Sequence, residues 1–173
     1  MNASAIVDRP YPALLDWLAA HGVEHDVHMH DETFTAQSTA RAERVDPRTF
    51  AKVLGVATDD GRSALLVVDA PDHLDLGKAR EVLGAREVRL LSEVEMTALA
   101  PGCALGAMPA VGSLFGMPMH ADYAVRADAA ISFNAGSHRF SVRVDRAGWE
   151  RASGVHYADL AAESDTRPLW ARS

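Results

Sequence analysis

The stretch FAKVLGVATDDGRSALLVVDAPD, residues 50–72, constrains the fold more than any other. Two β-rich runs flank Asp60-Gly61, a pair that suits the backbone of a tight hairpin turn. The runs therefore pair antiparallel, and the sheet that contains them is antiparallel or mixed. The rest of the chain mixes helices and strands without strict βα alternation. YPALLDWLAAHG reads as a helix with Leu14, Leu15 and Leu18 on one face and Gly22 as its stop. VEHDVHMHD reads as a short strand. Thr33 or Thr35 caps a second helix, TAQSTARAERV, ended by Asp46-Pro47. LGKAREVLGA is a helix and EVRLL a strand. Ser92 and Glu95 form a capping box before the helix VEMTALA. Further on, HADYAV and AAISFN read as strands, NAGS as a turn, HRFSVRV as an alternating strand and RAGWERAS as a last helix. The expected fold is α+β: a single compact domain over residues 1–153, with a mixed, largely antiparallel sheet flanked by helices. A polar, weakly patterned tail, 154–173, follows.

Charge and composition narrow the function classes. The net charge of −7 excludes a general nucleic-acid binder, because the field of the whole molecule repels phosphate. A local basic patch can still dock a short piece of nucleic acid. The longest aliphatic run, ALLVV at residues 64–68, is far too short to span a membrane. The N-terminus lacks the basic start and apolar core of a signal peptide, so a cytoplasmic location is expected. The one cysteine, Cys103, has no internal partner, in keeping with a reducing compartment.

Five features are candidates for chemistry. Lys52 sits inside an apolar run, where alternation groups it with Phe50, Leu54 and Val56. Such a lysine either snorkels at a sheet edge or points into a pocket. GCALGAMPAVGSLFGMPMHAD, residues 102–122, holds four glycines and two prolines and no charge before its end. Its backbone N–H groups suit a phosphate or a developing oxyanion, and the alternative is a packed connection that needs Gly for its turns. FNAGSH, residues 133–138, is either a plain turn or a second wall of the same pocket. His28 and His30 share a strand face, a spacing open to a metal with His120 or Asp122 as a distant ligand. No HExxH or CxxC accompanies them, so no metal is expected. Arg41, Arg44 and Arg48 recur at helical spacing, as a solvated face or as a strip for a phosphate backbone. GSLFG is not a nucleophile elbow, and nothing near Cys103 would lower its pKa.

Taken in order, HDETFTAQSTA, FAKVLGV, DGRSALLVVDAPDHLDL, LGAREVRLLSEVEM, GAMPAVGSLFGMPMHAD and ISFNAGSHRFSVRV resemble the YbaK/prolyl-tRNA-synthetase-associated editing-domain family. The resemblance covers about residues 10–152. It implies hydrolysis of the ester joining a wrong amino acid to the 3′ end of a tRNA, by a free-standing factor acting in trans, without a cofactor. Carried over by position, Lys52 matches the family's central lysine, and Gly106 and Pro109 match its Gly/Pro substrate loop. Asn134, Ala135 and Gly136 match a late turn followed by His138. His30 and Thr35 match the H-x4-T-A segment beside the pocket. Many members carry GxxxP, whereas Leu105 here stands four before Pro109 and glycine appears at Gly106. On this reading Met108, Pro109 and Leu114 select a small amino acid of the Ala, Pro, Cys or Ser class. The acceptor end of the tRNA docks near Arg41, Arg44 and Lys52, with a synthetase as a partner that could deliver it and no role for a membrane. The competing readings are a non-catalytic binding module for an aminoacyl- or nucleotide-like ligand, an interaction protein docking through Leu169 and Trp170, and a metal hydrolase built on His28, His30 and His120.

Overall fold

A computed structural model describes residues 9–163. The hairpin is present as β2 (Ala51–Thr58) and β3 (Ser63–Asp69), in register from Ala51↔Asp69 to Ala57↔Ser63. β4 (Val88–Leu90) adds antiparallel to β2. β5 (Met119–Asp122) adds parallel to β3, and β8 (His156–Ala158) adds parallel to β5. The result is a five-stranded mixed sheet of order β4-β2-β3-β5-β8. A second, antiparallel sheet runs β1-β7-β6, formed by β1 (His25–Met29), β6 (Ala130–Ser137) and β7 (Phe140–Asp145). The α+β class is as expected, but the strands divide into two sheets, bridged where Phe50 pairs with Ser132.

The main core fills the space between the sheets. Leu65, Val67, Met119 and Ala121 meet Ile131, Phe133, Val142 and Val144 there. Leu14, Trp17 and Leu18 of α1 (Pro12–Ala20) and Trp149 of α6 (Arg146–Ser153) close it. On the opposite face of the larger sheet, Val56, Leu66 and Val68 pack under Ala79 of α3 (Leu76–Leu83). β3 is thus buried on both faces, which is why ALLVV does not alternate. A third cluster joins Ala36 and Ala40 of α2 (Ala36–Glu43) to Phe50 and Ala70. Both capping boxes form, Thr35 with Ser38 at α2 and Ser92 with Glu95 at α4 (Glu93–Leu99). α4 lies so close to β2 that a Cβ on Gly55 would run into the Met96 and Leu91 side chains.

Four local expectations change. The second helix stops at Glu43, where Arg44 turns left-handed at φ 58°, before Asp46-Pro47 is reached. HADYAV is a strand only as far as Asp122, whose carboxylate then accepts from Ala124 N and starts α5 (Tyr123–Arg126). Asn134-Ala135-Gly136 is a bulged strand end, and the turn falls at His138-Arg139. The chain beyond Gly154 supplies β8, with Leu160 and Ala161 buried against the α3 face. Leu169 and Trp170 lie outside the described residues. Among the described residues, no helix is long and apolar enough to cross a membrane.

Candidate functional site

The Gly/Pro stretch is anchored at both ends of a short exposed tip. Ala104 N donates to Gly136 O at 2.9 Å, and Gly136 N donates to Ala107 O at 2.8 Å. Behind them, the Trp149 indole N–H donates to Ala110 O at 2.7 Å. Leu105 and Gly106 are left facing solvent, and their amide N–H groups donate to no acceptor among the described residues. Gly106 has φ +78°, the left-handed region that favours glycine. The glycine that stands one place away from the GxxxP pattern therefore falls where the backbone needs it. Pro109 is buried behind the tip. Met108 is buried and Leu114 half-buried, both in the main core, so these side chains fill the space between the sheets.

The tip leans on the end of β6. A Cβ built on Gly106 would lie 3.7 Å from His138 Cε1. The His138 ring meets the Phe34 ring at a centroid distance of 4.9 Å, and Thr33 N donates to His138 O. Gly136, at φ +82°, lets the bulge pass Tyr11 and Cys103 closely. Ala135 O accepts from Tyr11 N at 2.7 Å. Asn134 is buried, and its Oδ1 carries no hydrogen bond among the described residues.

His30 and Thr35 have local duties. The Thr35 hydroxyl accepts from Ser38 N as the cap of α2. The His30 side chain is 3% exposed and turns in beneath α2, with Nε2 3.6 Å from Glu43 Oε1. Glu43 also accepts from the hydroxyl of Ser141, the residue opposite Asn134. Arg41 and Arg44 stay exposed on α2 and at its end. His28 lies on β1 in one sheet, whereas His120 lies on β5 in the other, its ring against His156. Among the described residues, no three His, Cys, Asp or Glu side chains gather to hold a metal ion. Burial pushes the Cys103 thiol up to about 12.

Lys52 resolves toward a pocket. It shares a face of β2 with Leu54 and Val56 and lines a cavity of about 260 Å³ with Leu54, His73, Leu74, Leu76 and Leu90. Its ammonium donates to the Asp72 carbonyl. Burial lowers its pKa, and the Asp72 carboxylate opposes that shift. Phe50, two residues before Lys52, bridges Ser132, two residues before Asn134, so the start of β2 runs beside the first half of β6. Through Leu76 the cavity adjoins a larger one of about 400 Å³, lined by Thr58, Asp59, Arg80 and Arg89 among others. Arg80 is exposed there, and Arg89 is held by both carboxylate oxygens of Glu95. Sequence pattern singled out neither arginine, nor Phe34, nor Glu43. Phe34 and Glu43 acquire their settings from distant elements.

A family model described as an aminoacyl-tRNA editing domain matches residues 30–152. Among solved structures, one provisionally described as a trans-editing enzyme for prolyl-tRNA synthetase is 24% identical, with a TM-score of 0.77 over 90% of this chain and 100% of that one. A hypothetical protein is 20% identical, with a TM-score of 0.78 over 86% of this chain and 99% of that one. A scaffold protein from computational epitope-backbone grafting is 23% identical, with a TM-score of 0.75 over 89% and 99%. At these identities the likeness is one of fold. No curated protein matches the chain. The family match begins at His30, takes in Lys52, the Gly/Pro tip and the Asn134–His138 segment, and ends in the last helix; the chain belongs to the aminoacyl-tRNA editing domain family.

Proposed function

We propose that the protein is a deacylase that acts in trans on mischarged tRNA, with a small amino acid of the Ala, Pro, Cys or Ser class as its target. The observation that carries this reading is the exposed Leu105–Gly106 tip, clasped by Gly136, with two amides left to donate. An aminoacyl ester is already activated, so its hydrolysis needs placement and charge stabilisation more than a strong nucleophile. Water attacks the ester carbonyl carbon, and the tip amides stabilise the oxyanion that forms. The intermediate collapses, and the ribose oxygen leaves with a proton. The products are the free amino acid and uncharged tRNA. Lys52, an ammonium in a half-buried cavity, holds the phosphate of the terminal nucleotide. The neighbouring cavity with Arg80 and Arg89 continues the path for the acceptor strand, in addition to Arg41 and Arg44 on α2. With Met108 and Leu114 in the core, size selection falls to the backbone of the tip and to Pro109, Asn134 and Ala135.

The test is a panel of tRNAs mischarged with Ala, Ser, Cys and Pro, with a correctly charged control. Wild-type protein should release one amino acid selectively. Lys52→Ala should lose about 10- to 150-fold in kcat/KM for mischarged tRNA, the range that loss of one charged hydrogen bond gives, with an unchanged melting curve. A folded Lys52→Ala protein of full activity would overturn the role given to this lysine.

A further inference from the structure

Phe34 stands out against the distribution of aromatic side chains in this molecule. Among the described residues it is the most exposed Phe, Tyr or Trp, at 69% exposure. It belongs to none of the three core clusters. It precedes the Thr35 cap of α2, and its ring rests on His138, which itself lies against Gly106. Leu105, 44% exposed, continues the apolar surface beside the tip. A flat hydrocarbon ring in water, propped by an imidazole at the edge of a backbone anion site, is a stacking surface. Phe34, His138 and Leu105 make a patch of three side chains. That is far below the roughly 800 Å² per partner that a stable protein interface buries, and close to the footprint of one nucleobase.

Taking the deacylase reading as its basis, we infer that Phe34 and His138 form the platform on which the 3′-terminal adenine of the tRNA stacks. The spacing fits the chemistry. The ester is carried on the ribose of that nucleotide, so the base lies one sugar away from the carbonyl. Phe34 likewise lies one imidazole ring away from Gly106. Stacking of the base turns the ribose toward the tip and places the ester without a contact to the amino-acid side chain. Phe34 is therefore a substrate-binding residue that serves every amino acid the pocket admits.

The experiment measures binding of the trinucleotide 5′-CCA-3′ and of the same trinucleotide with an abasic third sugar, by NMR titration, alongside deacylation. Phe34→Ala should weaken CCA binding about 5- to 150-fold, the range that loss of one base–aromatic stack gives. It should leave the abasic ligand unaffected and should raise KM for mischarged tRNA more than it lowers kcat. Phe34→Trp should restore CCA binding. Equal CCA affinity in wild type and Phe34→Ala, or no CCA binding by wild type at millimolar ligand, would overturn the platform. Failure of wild type to deacylate any tRNA would overturn the deacylase reading instead, and Phe34-dependent CCA binding would survive that result.

Discussion

Gly136 shows how much the site asks of single positions. Its φ is +82°, and a Cβ there would stand 2.7 Å from Tyr11 Cβ. Gly136→Ala combines a left-handed backbone penalty with overpacking and should destabilise the protein by about 2–4 kcal/mol in urea denaturation. Gly61, at φ +86° with nothing within 4 Å of a built Cβ, is the control, and its alanine variant should lose only about 1 kcal/mol. Asp128 makes a different prediction. Its pKa is pushed up to about 6 by burial first and by the Asp46 carboxylate second, against Arg143 and Arg146. A carboxyl whose folded pKa is raised stabilises the fold fully below its unfolded pKa near 4, and that contribution is lost as pH rises through about 6. Asp128→Asn should flatten the fall in stability over this window. At neutral pH it should gain about 1 kcal/mol once solvent screening around a half-exposed carboxylate is allowed for, as urea midpoints at acidic and neutral pH would read.

At the level of elements, one buried side chain reinforces the backbone pairing that holds β8 and the residues after it. Asp122 is fully buried, and its Oδ2 accepts from Leu160 N and Ala161 N, both at 2.9 Å. Its Oδ1 accepts from Ala124 N at 3.0 Å. Asp122→Ala would strand these buried donors and should destabilise the protein by about 3 kcal/mol or more. Hydrogen exchange at residues 156–161 should rise ahead of exchange in β2 and β3. This junction also marks the limit of what was legible in the sequence. The β2–β3 hairpin, the starts of α1, α2, α3 and α6 and the Ser92 box follow from local chemistry and appear where the residues put them, whereas α5 begins inside a stretch read as strand. β8 is three residues long and pairs with a strand more than thirty positions away, so no local alternation announces it. The division into two sheets is hidden for the same reason, because alternation reveals a strand's faces and not its neighbours. Motif order singled out Lys52, Gly106 and the Asn134–His138 segment, whose roles in the site are proposals. Thr35 as a helix cap followed from residue type and position, whereas Met108 as core did not, because an apolar residue fits a pocket wall or a core until its surroundings are known.

For the whole molecule, the net charge of −7 opposes the approach of any polyanion, while Lys52, Arg80 and Arg89 line two adjoining cavities. Binding should therefore be confined to a few phosphates at the acceptor end. With two or three phosphates engaged, raising salt from about 50 to 200 mM should weaken tRNA binding roughly 10- to 40-fold, against 10³–10⁵ for a protein that contacts six to ten. A filter-binding series on full-length tRNA and on an acceptor-stem minihelix should return the same slope. A much steeper slope for the full tRNA would mean contact beyond the acceptor end.

The hydrogen bond from the Trp149 indole to Ala110 O gives the Gly/Pro loop an optical signature of its own. Trp149 has no exposed surface, and its one polar atom is bonded to the loop backbone that supports the tip. Release of the loop from α6 would free that N–H and admit water to the ring, so a red shift in emission would follow. Because Trp17 and Trp170 emit as well, a protein with both replaced by Phe would report the loop alone. Its spectrum, recorded with and without tRNA, would show in real time whether the wall of the site stays seated while substrate enters and product leaves.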